Sequence, residues 1–85
     1  MTMALSRPDW FDDLDAWWRT ALGVEASSHL EPLGVDTEGR LHLRGITVAW
    51  AAQATVLSAA LTARLNAALP PPAQITGIVV RPAPE

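Results

Sequence analysis

Apolar side chains first recur along the chain at helical spacing. Trp10, Phe11, Leu14, Trp17, Trp18, Ala21 and Leu22 fall within an arc of about 140°, and Asp12, Asp13, Asp15, Arg19 and Thr20 fill the rest of the wheel. The pattern predicts an amphipathic helix over residues 6–22. Ser6 and Asp9 stand where a capping box would start it, Pro8 fits its first turn, and Gly23 offers a left-handed stop. Acidic residues near its start and Arg19 near its end complement the helix dipole.

The period then shortens to two. Residues 28–46 read as a β-hairpin, with a first strand in His29–Val35 and a second at Arg40-Leu41-His42-Leu43-Arg44. Pro32 assigns the first strand an edge position or an irregular start, because it has no N–H for a ladder. Asp36-Thr37-Glu38-Gly39 is turn chemistry, with Gly39 free to take positive φ. Alternation turns Leu41 and Leu43 to the core and Arg40, His42 and Arg44 to the opposite face. Gly45 marks either a bulge or a close backbone approach.

Helical spacing returns over residues 48–68, with Thr47 as N-cap. Trp50, Ala54, Leu57, Leu61, Leu65 and Ala68 form the main apolar stripe. Ala49, Ala52, Val56, Ala59, Ala60, Ala63 and Ala67 form a second stripe of small side chains on another face. That stripe suits close approach either by the Trp-rich face of the first helix or by a partner's helix. Pro70-Pro71-Pro72 stops the helix, residues 74–81 read as a last strand, and 83–85 are a short tail. The whole, residues 1–85, is one α+β domain of order α-β-β-α-β, a three-stranded sheet with both helices on one face. This order resembles that of KH-like domains.

Charge placement changes the picture more than charge total. The net charge is −3, and all six cations are arginines. An acidic domain is a poor candidate for strong non-specific nucleic-acid binding. Arg40, Arg44 and Arg81 nonetheless define a weak electrostatic site on one side of the sheet, weighed against their simply solvating a strand. Between Ile46 and Val80 the only charged side chain is Arg64. So neutral a stretch is either unusually buried or meets a partner.

Candidate chemistry is sparse. With no cysteine and only His29 and His42, neither a disulfide nor a metal site is expected, and no cofactor motif occurs. Both histidines fall on predicted strands, as solvated or edge-strand residues, with no nucleophile elbow near them. Asp12, Asp13 and Asp15 lie on a polar helix arc with no concave site implied. Neither GxxxxGK[ST] nor GxGxxG is present, and no two glycines stand three apart, so the GXXG clamp of KH domains is missing. No catalytic residue is assigned and no enzyme is expected. The chain lacks an apolar run of the roughly 20 residues needed to span a bilayer. A cytoplasmic protein is expected. Trp50 is open to two readings: core anchor by its stripe position, or binding hot spot by its place at an element's end.

The segment from Leu41 to Leu69, LHLRGITVAWAAQATVLSAALTARLNAAL, resembles the DciA family of bacterial replicative-helicase operators. Leu41 and Leu43 match its strand, Thr47 its cap, Trp50-Ala51 its aromatic-alanine pair, Gln53 its polar position, and Leu61, Leu65 and Asn66 its helix end. Trp18 to Gly23, His29 and Pro32 match upstream, and Ile78-Val79-Val80-Arg81 downstream. The resemblance implies a KH-like domain that binds the hexameric helicase DnaB and assists its loading onto single-stranded DNA at replication origins. Motif position and expected exposure together place the helicase contact at Thr47, Trp50, Gln53 and Arg64. Three departures stand out: the chain is acidic where many members are basic, Gly45 replaces a strand apolar residue, and Ala54 replaces the common leucine. Two alternatives to the helicase role are a nucleic-acid module built on Arg40, Arg44 and Arg81, with weak single-strand affinity, and homo-oligomerisation through the alanine-rich face of the second helix.

Overall fold

A computed structural model of the 85-residue chain describes residues 5–69 and 73–82, and the side chains of all of these except Asp12, Leu14 and Asp15. The expected proline connector at 70–72 and the tail at 83–85 lie outside the described residues. The elements run as a 3-10 turn (Asp9–Asp13), α1 (Leu14–Leu22), α2 (Val24–His29), β1 (Leu30–Val35), β2 (Arg40–Gly45), α3 (Val48–Val56), α4 (Ser58–Ala68) and β3 (Gly77–Pro82).

The sheet is mixed, of order β1-β2-β3, with β1 antiparallel and β3 parallel to β2. Pro32 does lie on an edge strand, and the ladder shifts register between Pro32 and Gly34. The irregularity thus falls in β1 and not at Gly45. Gly45 is instead the point of closest backbone approach: a Cβ there would lie 2.7 Å from the Ala51 amide nitrogen and 2.8 Å from its Cα. In the hairpin, Gly39 takes φ +82°, and Thr76 anchors the turn by donating to the carbonyls of Gly39 and Glu38.

One face of the sheet holds the core. Leu41 and Leu43 are fully buried there, against Trp17, Trp18, Leu22, Ala54, Leu61 and Leu65, with Ile78 and Val80 packed alongside. Burying one such leucine contributes about 1.5–3 kcal/mol. The Trp18 indole N–H donates to the Leu30 carbonyl (3.2 Å), and that of Trp17 to Trp10 (3.3 Å), so both buried rings keep their polar atom satisfied. Past the prolines, the Asn66 side chain makes two hydrogen bonds to Ile75, accepting from its N–H (2.7 Å) and donating to its carbonyl (3.0 Å).

The structure corrects the sequence reading of the N-terminal segment and the helices at four places. Ser6 does not cap a helix. Its backbone pairs with Val35 in both directions and its hydroxyl donates to the Val35 carbonyl, so helical winding starts later, as a 3-10 turn. Residues 24–29 form a helix where no element was expected. Ser27, Ser28 and His29 each donate back to carbonyls one turn earlier, closing a short helix through side chains. His29 therefore ends a helix and is not on a strand. The long second helix is interrupted at Leu57, whose N–H is shared between the carbonyls of Gln53 and Thr55, which leaves this expected core residue 43% exposed. The alanine-rich stripe does not receive the first helix. Ala49, Ala52, Val56, Ala59, Ala60, Ala63 and Ala67 are all exposed, and α1 packs on the Leu61–Leu65 side of α4.

Candidate functional site

Two surfaces carry the residues singled out from the sequence, on opposite sides of the sheet. The first begins where β2 turns into α3. Gly45 lets the helix pass against the strand, and Thr47 then accepts the Trp50 N–H (3.1 Å), capping α3 as expected. The loop is tied to α2 by Ile46, whose N–H donates to the His29 carbonyl (3.0 Å). His29 is held by donating from Nδ1 to the Glu25 carbonyl (2.7 Å). Its ring stacks on Trp50, centroids 4.8 Å apart and planes 11° from parallel. Trp50 is half-buried, with part of its surface against the core.

Ala49, Trp50 and Gln53 line one shallow depression. Exposed apolar side chains lie before it and along α3: Ile46 (53%), Val48 (69%) and, one to two turns on, Val56 (82%). Arg64 does not join this group. It lies on α4 in a second depression, with Thr20, Ala21, Ala67 and Ala68. The structure thus brings Thr47, Trp50 and Gln53 together and leaves Arg64 apart. Sequence reasoning missed His29 as the partner of Trp50, because α2 was not foreseen.

The second surface is the sheet face turned away from the helices. Arg40 and Arg44 project there from β2 and Arg81 from β3, as alternation requires. His42 shares this face but is fully buried, not solvated, because β2 is the central strand and polar groups close over the ring. Its Nε2 donates to Asp36 Oδ2 (2.9 Å), and its Nδ1 accepts from Arg81 Nη2 (3.3 Å). Asp36, itself buried, also accepts from the N–H groups of Glu38 and Arg40 and from Arg40 Nε (2.8 Å). The hydrogen bond from His42 holds the Asp36 carboxyl well below the usual carboxylate range. Burial opposes the shift, and the backbone and Arg40 donors reinforce it. Arg44 pairs with Glu31 across the hairpin, and Arg40 also reaches Glu38 (3.5 Å). A turn aspartate six residues before a central-strand histidine was the sequence signal for this network, and it was read only as turn chemistry.

No group of three or more potential metal ligands occurs among the described residues, and no helix there is long and apolar enough to cross a membrane. What the fold and its surfaces define is a small α+β domain with an exposed, nearly uncharged helical face and an arginine-bearing open sheet. The sequence matches the family described as Dna[CI] antecedent, DciA, over residues 2–80, and the chain belongs to that family. Membership gives the protein a role in DNA replication with the replicative helicase DnaB. No curated protein and no solved structure matches the chain.

Proposed function

We propose that the protein is a non-enzymatic adaptor that binds DnaB through its folded domain and assists helicase loading onto single-stranded DNA during replication initiation. The observation that carries this reading is the surface at the start of α3. There the capped Trp50, stacked on His29, stands beside Gln53 among exposed Ile46, Val48 and Val56. A half-buried tryptophan at a capped helix start, within a stretch from Ile46 to Val80 whose only charged side chain is Arg64, has the anatomy of a binding hot spot. Arg64, set apart in its own depression on α4, is not part of this surface.

Light-scattering mass on a sizing column tests the proposal, for the protein alone and with the replicative helicase of the same organism. Co-elution with a hexamer-sized species is the expected result. Separate elution, with the helicase still active, removes it. The same experiment reads a second use of this side of the molecule. The exposed stripe Ala52-Val56-Ala59-Ala60-Ala63 favours self-association, which appears as a mass of the protein alone that rises with concentration. A strict monomer at every concentration rules that second use out.

A further inference from the structure

The two edges of the sheet are finished differently. The β1 edge carries three devices that keep a further strand from joining. Pro32 has no N–H to offer, the ladder shifts register between Pro32 and Gly34, and Ser6 takes both backbone groups of Val35. No described residue pairs with the outer side of β3. Ile78, Val79 and Val80 stand there uncharged, β-branched and half-buried. Pro82 ends the strand and lacks an N–H, so the pairing length is Gly77–Arg81 and its midpoint is Val79.

Such an edge accepts a strand, and the charges beside it select which one. Ile78 and Val80 pack on the core, whereas Val79 and Arg81 lie on the opposite face beside their register partners His42 and Arg44. A second β3 laid antiparallel about Val79 sets the two Val79 side chains opposite each other, and Arg81 opposite Gly77 of the other copy. The two arginines then stand about 13 Å apart along the strands, beyond the Debye length of about 8 Å at physiological salt. Next to Gly77 is its register partner Arg40, which Asp36 and Glu38 share. Thr76 donates to the Glu38 carbonyl and so holds this turn at the head of β3. Arg81 pairs with no carboxylate among the described residues of its own copy. Across the edge it meets the surplus carboxylate of Glu38, and two-fold symmetry makes that contact twice.

We propose that β3 pairs antiparallel with β3 of a second copy, about a two-fold axis at Val79, so that two three-stranded sheets become one continuous sheet. Because the β1 edges are closed, assembly stops at two copies and does not run on as a fibre. The interface is separate from the alanine stripe of α3 and α4, and it does not depend on the helicase reading.

The chain has no cysteine, so single cysteines report the contact. Antiparallel partners place their Cα atoms about 4.5–5.5 Å apart, within the span of a disulfide. Val79→Cys should be oxidised to a linked dimer at least about tenfold faster than Ala60→Cys, on the exposed stripe of α4. Sedimentation velocity of the cysteine-free protein over about 5–500 μM follows the reversible association. Wild type should rise to the mass of two copies. Val79→Lys, which sets two ammonium groups face to face, should stay monomeric. Arg81→Glu should weaken the dimer about tenfold, and adding Glu38→Arg should restore it. Glu38 and Arg81 stand at opposite ends of β3 within one copy, so this rescue reads contact between copies. Should Val79→Lys fail to fold in thermal melts, the cysteines and the charge swap decide alone. The proposal is overturned if wild type is monomeric throughout, if association survives Val79→Lys, or if Ala60→Cys links as fast as Val79→Cys. A monomer that loses DnaB binding on Val79→Lys would give the edge to a strand of the helicase, and overturns it too.

Discussion

His29 lies flat against Trp50, with 4.8 Å between ring centroids and 11° between ring planes. Because α2 delivers His29 and the Thr47 cap delivers Trp50, the stack joins α2 to α3, and the Ile46–His29 hydrogen bond ties the preceding loop to α2 as well. A half-buried tryptophan in this position both packs and presents a face. Trp50→Ala should therefore cost about 1–3 kcal/mol, below the 3–5 kcal/mol of a fully buried aromatic, and leave a folded protein. Its affinity for DnaB should fall at least about tenfold, the effect of losing a hot-spot residue. Urea unfolding and calorimetric titration with the helicase check the two halves. A folded variant with undiminished affinity would make Trp50 a packing residue only.

Gly45 has no room for a side chain. An added Cβ meets the Ala51 backbone at 2.7–2.8 Å, and backbone cannot rotate aside as a side chain can. Gly45→Ala should destabilise the protein by about 1–3 kcal/mol or more, through overpacking and not through loss of a turn. Gly23→Ala is the comparison. Its Cβ would meet nothing within 4 Å, so its cost comes only from φ +87°. Thermal melts of the two variants separate contact from backbone strain.

Acid should unfold the protein partly through Asp36. Its carboxyl is held below the ordinary value of 3.8, first by His42, so the ionised form stabilises the fold. That contribution is complete above about pH 5 and is lost as pH falls through 3.8 towards the folded-state value. Urea midpoints of wild type should drop between about pH 5 and pH 2. Asp36→Asn should be less stable at neutral pH and show a shallower decline over this window. An equal decline in both proteins would place the acid sensitivity in other carboxylates.

Asn66 fastens the segment before β3 to α4 by two bonds to one residue, Ile75. Replacing it with alanine leaves both polar groups of Ile75 without this partner, and Ile75 is 3% exposed. Loss of about 1–3 kcal/mol is expected. Hydrogen exchange at the Ile75 amide should accelerate more than at Leu43, in the centre of the sheet.

The helical and strand periods of the chain are local properties, and they were legible. The Trp17-Trp18-Leu22 face, the Leu41/Leu43 alternation, the Thr47 cap and the turn at Gly39 all follow from spacing and backbone preference. The fold class follows from these, although α2 and the break between α3 and α4 do not. Of the four residues expected at a contact, Thr47, Trp50 and Gln53 come together at the start of α3, whereas Arg64 lies in a separate depression on α4.

What the chain could not disclose by itself depended on groups far apart in sequence. Ser6 carries capping chemistry, yet Val35 took its backbone groups first, because a β-bridge satisfies both N–H and C=O. The alanine stripe and the Leu61 stripe are both apolar, and only the docking of α1 decided which would be buried. His42 looked like any outward residue of an alternating strand. Its burial came from β2 lying in the middle of the sheet, where Asp36 and Arg81 close over the ring. Periodicity assigns a side chain to a face, but only the neighbouring strands and helices determine what that face meets.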